Sequence, residues 1–114
     1  EENQHLRPDQ ARHLTIHGAN QNEDGTYSWK FDNYIRNWAP FGMGAEEGHE
    51  LWSNITCPTL LVRGTESWAS PPEEDGRLEH FKNATVANFE DAGHWVHHDQ
   101  LDKFLETVVP FLEE

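Results

Sequence analysis

His94 is the side chain whose neighbours best equip it for chemistry. It stands in Ala92-Gly93-His94-Trp95, between the β-prone run Ala84 to Phe89 and an amphipathic stretch beginning near Leu101. Small residues at the end of a strand permit a tight turn that presents an imidazole to a cleft. There the ring can take and return a proton near neutral pH. The nucleophile such a base would serve is missing, because no Gly-x-Ser-x-Gly turn occurs anywhere in the chain. His94, His97, His98 and Asp99 raise a second possibility, since imidazole nitrogens and carboxylate oxygens suit zinc. A helix beginning near Asp99 would leave His94 on the preceding turn and let the adjacent His97 and His98 diverge. The expectation is therefore no metal and no cofactor. Gly42-x-Gly44 lacks the flanking strand and helix of a phosphate loop.

The elements that must position His94 are most legible in the second half. Pro58 introduces Thr59 to Val62, an apolar β-prone run of the kind found in a parallel sheet covered on both faces. Pro71-Pro72 before Glu73-Glu74-Asp75 predicts a helix start, with Leu78 and Phe81 as its apolar side. Ala84 to Phe89 predicts a second strand. Asp99 is expected to cap a last helix in which Leu101, Phe104, Leu105, Val108, Val109 and Leu112 recur at helical spacing, with Pro110 bending or fraying its final turn.

The first half is less regular. Residues 9 to 17 suit a short helix with Asp9 as N-cap and Gly18 as its stop. Asp24-Gly25 signals a turn, Tyr27 to Phe31 alternates as an extended segment does, and Asp32-Asn33 opens a second helix through Tyr34, Ile35 and Trp38, ended by Pro40. Gly42 to Gly48 reads as a loop or hinge, and Leu51 to Ile55 as a short amphipathic turn.

Composition narrows the partners. A length of 114 residues is one small domain or a piece of a larger one, and a formal charge of −13 disfavours nucleic acid and anionic membrane surfaces. The single Cys57 can form no internal disulfide, which fits a reducing, cytoplasmic setting. The opening Glu1-Glu2-Asn3-Gln4 is polar and lacks an initiating Met, so the chain is expected to be trimmed or a fragment. No apolar run reaches the roughly 20 residues that span a bilayer.

Taken as a set, Cys57-Pro-Thr-Leu-Leu-Val-Arg-Gly64, Ala92-Gly-His-Trp95 and Leu101 to Leu112 resemble the last two strands and terminal helix of an α/β-hydrolase. Residues 1 to about 50, with Asp24 to Asp32, are similar to the tail of the cap that covers such sites. The resemblance implies an α/β fold, a partial one: residues 1–50 as a cap-like segment and 51–114 as the C-terminal part of the core, a parallel β-α-β-α unit. It also implies hydrolysis of an ester or related small hydrophobic substrate when the fold is whole. His94 falls on the family's catalytic histidine. The family's acid often lies three residues after the strand-ending glycine, where this chain has Ser67. Glu66, one residue earlier, is the nearest carboxylate able to orient the imidazole. Trp68 and Trp95 flank the expected crevice, and Trp29 lies in the cap-like part; all three are candidate substrate walls. Asp91 is expected to point away.

Two parallel strands leave a bare edge. The expected partners are the N-terminal part of the hydrolase fold, or another copy joined by oligomerisation or domain swap, and a small-molecule substrate. The reading from a different class is a non-catalytic, self-associating or binding module derived from a hydrolase.

Overall fold

A computed structural model describes residues 4–36, 42 and 44–113. The chain divides into two compact units, Leu6–Gly42 and Met43–Glu114, the latter joined by the N-terminal residues through His5. Trp38 and Pro40, expected to extend and end a helix, lie outside the described residues.

In the first unit, helix α1 spans Pro8–Gly18. Its N-cap is Arg7 and not Asp9: Pro8, with its φ preset for the first helical position, starts the helix one residue earlier. The Gln10 side chain reaches back to accept from the Arg7 N–H at 3.1 Å, while Asp9 pairs with the Arg7 guanidinium at 3.2 Å. Gly18 is the last helical residue, and Ala19 leaves it extended. Strands β1 (Ala19–Gln21) and β2 (Tyr27–Trp29) then form an antiparallel hairpin with Ala19 opposite Trp29. Asp24 Oδ1 closes the turn by accepting from the Thr26 N–H and hydroxyl, at 3.0 and 2.6 Å. Gly25 takes a left-handed φ of 82°, which its missing Cβ allows. The helix expected from Asp32 is reduced to a 3₁₀ turn, Asn33–Arg36, started by the Asp32 carboxylate accepting from the Tyr34 N–H at 2.9 Å.

In the second unit, helix α2 (Ala45–Ser53) runs through most of the stretch expected to be a hinge. Glu47 Oε2 accepts from the Gly44 N–H at 2.9 Å, and the acidic first turn complements the helix dipole, which outweighs the cost of Gly48. Strands β3 (Thr59–Gly64) and β4 (Ala84–Phe89) pair in parallel, with Thr59 opposite Ala84 and Gly64 opposite Phe89.

Their connection is not the continuous helix expected from Pro71. It makes hydrogen-bonded turns, passes Gly76 at φ 83°, and ends in the 3₁₀ turn Arg77–His80. Asp75 explains the break. Its carboxylate accepts from the Arg77 guanidinium at 2.8 Å and from the Ser70 hydroxyl at 2.5 Å. Those bonds hold its carboxyl below the ordinary value for aspartate, the Arg77 bond contributing most.

After β4 comes the short helix α3 (Val96–Asp99), then α4 (Leu101–Glu113). Asp99 therefore ends α3 and does not cap α4, and the α4 helix continues past Pro110. The core is Phe89, Ala92 and Val96, with Val62, Ala87 and Phe104 packed against it. Leu101, Leu105, Val109 and Leu112 on α4 stay exposed, and no residue of β3 before Gly64 is fully buried. Among the described residues, no helix is long and apolar enough to cross a membrane.

Candidate functional site

The candidate site is built where the two parallel strands end. Gly64, the last residue of β3, lies so close to the turn after β4 that a Cβ there would strike the Ala92 and Gly93 carbonyl oxygens. That approach lets the Thr65 N–H bond Phe89 O and the Glu66 N–H bond Ala92 O, both at 2.9 Å. The two loops are thus fastened to one another backbone to backbone. Asp99 adds a third fastening, its Oδ2 accepting from the Gly93 N–H at 2.8 Å. The turn bearing His94 is also held at Asp91, which adopts a left-handed φ of 53°. The Gln100 amide donates to Asp91 O at 3.3 Å.

These fastenings place Ser67 against His94. The serine Oγ lies 3.0 Å from His94 Nδ1 and accepts from the Ala69 N–H at 3.1 Å. The Trp68 ring sits 4.5 Å from the His94 ring, tilted by 31°. Glu66 goes elsewhere. Its Oε2 lies 3.1 Å from His5 Nε2 and 3.4 Å from the Gln4 amide nitrogen. Successive side chains in an extended loop diverge, so only one of Glu66 and Ser67 can meet the imidazole. The structure gives that position to the hydroxyl.

A cavity of about 330 Å³ opens beside the pair. His94, Ser67, Trp52 and Phe81 line it together with the consecutive run Leu60 to Gly64. Consecutive residues can share a wall only where a strand presents its edge, so the cavity runs along the side of β3 that β4 does not occupy. Arg63 and Arg77 supply the basic groups. The Arg63 Nε donates to Ala69 O at 3.4 Å, and Arg77 is held by Asp75 and by Ser70 O.

Trp68 is 83% exposed, so it offers a face instead of filling a core. Trp95 packs edge-on against His98 with centroids 5.2 Å apart, and lies outside the cavity wall. Trp29 stacks on Phe31 within the first unit. Among the described residues no three histidine, cysteine or acidic side chains converge as a metal site, and His97 packs on His98 and Phe104.

The Ser67 hydroxyl as the direct partner of His94 was not legible in advance, although its place three residues beyond Gly64 was the signal that could have found it. The Ser70–Asp75–Arg77 clasp was also missed, and the short spacing of Asp75-Gly76-Arg77 was its only trace.

No protein-family profile and no curated protein matches the sequence. Solved structures do. An esterase from Mycobacterium tuberculosis matches 87% of this chain with a TM-score of 0.71 and 25% identity. A marine microorganism esterase matches 93% with a TM-score of 0.61 and 22% identity, and a CIB-like hydrolase from Thermoplasma acidophilum matches 60% at 0.52 and 23%. This chain carries part of the α/β-hydrolase fold. It spans 34% of the M. tuberculosis and T. acidophilum chains and 41% of the marine one. Within that hydrolase fold, β3, β4 and α4 form the parallel unit, and the Ser67–His94 pair lies at the carboxyl ends of its strands, where open α/β sheets bind ligands.

Proposed function

We propose that this chain is the C-terminal portion of a cap-bearing α/β-hydrolase acting on an ester or related small hydrophobic substrate. Residues 1–50, which contain the whole of the first compact unit, are its cap-like segment and 51–114 the end of its core. His94 is the general base; the nucleophile and the donors that stabilise the oxyanion come from polypeptide outside these residues. The observation that carries this reading is the exposed His94 imidazole, 3.0 Å from the Ser67 hydroxyl, in the wall of the cavity beyond the strand ends. Trp68 supplies an apolar wall beside the reacting position. Trp95 is a further wall once the core is complete, while Glu66, paired with His5, is not the partner of His94 here. No cofactor enters the reaction. The exposed thiol of Cys57 suits a reducing, cytoplasmic setting.

Hydrolysis of an aryl ester by the chain alone, and by the chain joined to whatever polypeptide is encoded immediately upstream, tests this. The chain alone should show no turnover. The joined protein should hydrolyse the ester and lose roughly a hundred- to ten-thousand-fold in kcat/KM with His94→Ala, the usual worth of a general base. His94-dependent turnover by the chain alone would refute the need for an outside nucleophile, and turnover surviving His94→Ala in the joined protein would refute the assigned role.

A second reading is favoured by the cavity along the edge of β3 and the exposed apolar stripe of α4. Strand addition there, by the rest of the fold or by another copy, pairs the open backbone groups. Light scattering after size exclusion distinguishes the two: a dimer supports self-association, whereas a monomer that binds the upstream polypeptide supports completion of the fold.

A further inference from the structure

One contact in the site departs from ordinary triad chemistry: a neutral hydroxyl stands on His94 Nδ1. A hydroxyl owns one proton and two lone pairs, whereas a carboxylate can only accept. Ser67 Oγ already accepts from the Ala69 N–H at 3.1 Å, and its only other hydrogen-bond neighbour among the described residues is His94 Nδ1 at 3.0 Å. Among the described residues the serine proton has one acceptor to turn to, the lone pair of Nδ1. A neutral imidazole that accepts at Nδ1 must carry its own proton on Nε2.

We propose that Ser67 is a positioning residue that holds His94 in the Nε2–H form, with the opposite polarity to that imposed by a carboxylate. The Trp68 ring, 4.5 Å away on the flank of the imidazole, limits the ring's turning away from this bond. Nε2 makes no hydrogen bond among the described residues and is the ring nitrogen left for a ligand. At rest the site therefore offers a donor there, suited to a carbonyl, carboxylate or phosphoryl oxygen. Accepting a proton at Nε2 requires the ring proton to move to Nδ1 and the Ser67 hydroxyl to turn, so that Oγ accepts from Nδ1–H while keeping the Ala69 bond. Among the described residues no carboxylate pairs with His94 to compensate the imidazolium at that point. His94 thus begins as an acid-side group and becomes a base only after this switch.

The consequence for catalysis rests on the general-base reading of His94, but the direction of the hydrogen bond is measured without turnover. Ring-nitrogen correlation spectra of the 114-residue chain at a pH of about 9, above the ordinary imidazole range, report which nitrogen bears the proton. The wild type and Ser67→Thr should share a predominant Nε2–H form. Ser67→Ala should lower the Nε2–H to Nδ1–H ratio by about two- to twelvefold, the equivalent of one net hydrogen bond. Ser67→Asp should reverse the ratio, because its carboxylate can only accept. A wild type with the proton mainly on Nδ1, or a ratio the same in the wild type, the Ala and the Asp variants, overturns the proposal. Failure of ester hydrolysis with these spectra intact would count against the proposed function alone.

Discussion

Among the described residues there are two two-stranded sheets, and they are held in opposite ways. The β1–β2 hairpin closes through near neighbours: Asn22 bonds Thr26, Ser28 bonds Asn22, and Asp24 binds both the backbone and the hydroxyl of Thr26. Almost all its side chains face solvent. The β3–β4 pair has no local turn. It depends on the Phe89–Ala92–Val96 core, on the close approach of Gly64 to the following turn, and on a partly buried bond from Gly93 to Asp99. A hairpin of this kind is specified by polar turn chemistry and stabilised little by burial. The parallel pair is specified by packing and is sensitive to single atoms. The candidate site sits on the second kind.

The largest effect expected from this contrast comes from Phe89→Ala. Phe89 is 1% exposed, and its truncation should destabilise the second unit by about 3–5 kcal/mol in chemical denaturation. Gly64→Ala comes next, at about 2–3 kcal/mol, because the new methyl meets backbone oxygens that cannot yield without opening the loops. Faster amide exchange at Glu66 should accompany it. Asp99→Ala leaves the Gly93 N–H without its acceptor and should cost about 1–2 kcal/mol, while Asp99→Asn, which keeps an acceptor oxygen, should cost less in the same chemical denaturation.

On the hairpin, Gly25→Ala must place a Cβ at φ 82° and should cost about 1 kcal/mol, read as faster exchange of the Asn22 amide bonded across the turn. A loss as large as that of Phe89→Ala would erase the contrast between the sheets.

The smallest effect is electrostatic. Arg77, then Ser70, hold the Asp75 carboxyl below its ordinary 3.8. A carboxyl depressed by folding contributes stability that is fully present above the unfolded value. That contribution fades as pH falls below 3.8 towards the lower folded value. Asp75→Asn should remove this acid-side slope from stability measured against pH, so that its cost is greatest at neutral pH and vanishes in acid, and that cost should be small because the pair faces solvent.

The elements with a strong period were readable in advance. Ala84–Phe89 is a strand with the bounds its residues suggest, Thr59–Val62 lies within β3, and the spacing of Leu101, Phe104, Leu105 and Val108 describes α4. Ala19-Asn20-Gln21 was unreadable as a strand because it has no β-branched or aromatic residue, and pairing with Tyr27–Trp29 decides its conformation. The helix expected after Pro71 fails for a matching reason: Asp75 satisfies Arg77 and Ser70 instead of a helix N-terminus.

The sequence by itself determined a histidine on a small-residue turn, two β-prone runs, a terminal amphipathic helix and the lack of a nucleophile turn. Each of these is a property of adjacent or periodically spaced residues. Only the tertiary structure decided that Ser67 and not Glu66 reaches His94. Those two candidates differ by one position, and the choice depends on a distant register, Gly64 beside Phe89, which turns one side chain to the imidazole and the next to His5. Local pattern carries the direction of a helix face or a strand face. It carries nothing about which of two neighbouring loop side chains faces a residue brought alongside by a parallel crossover.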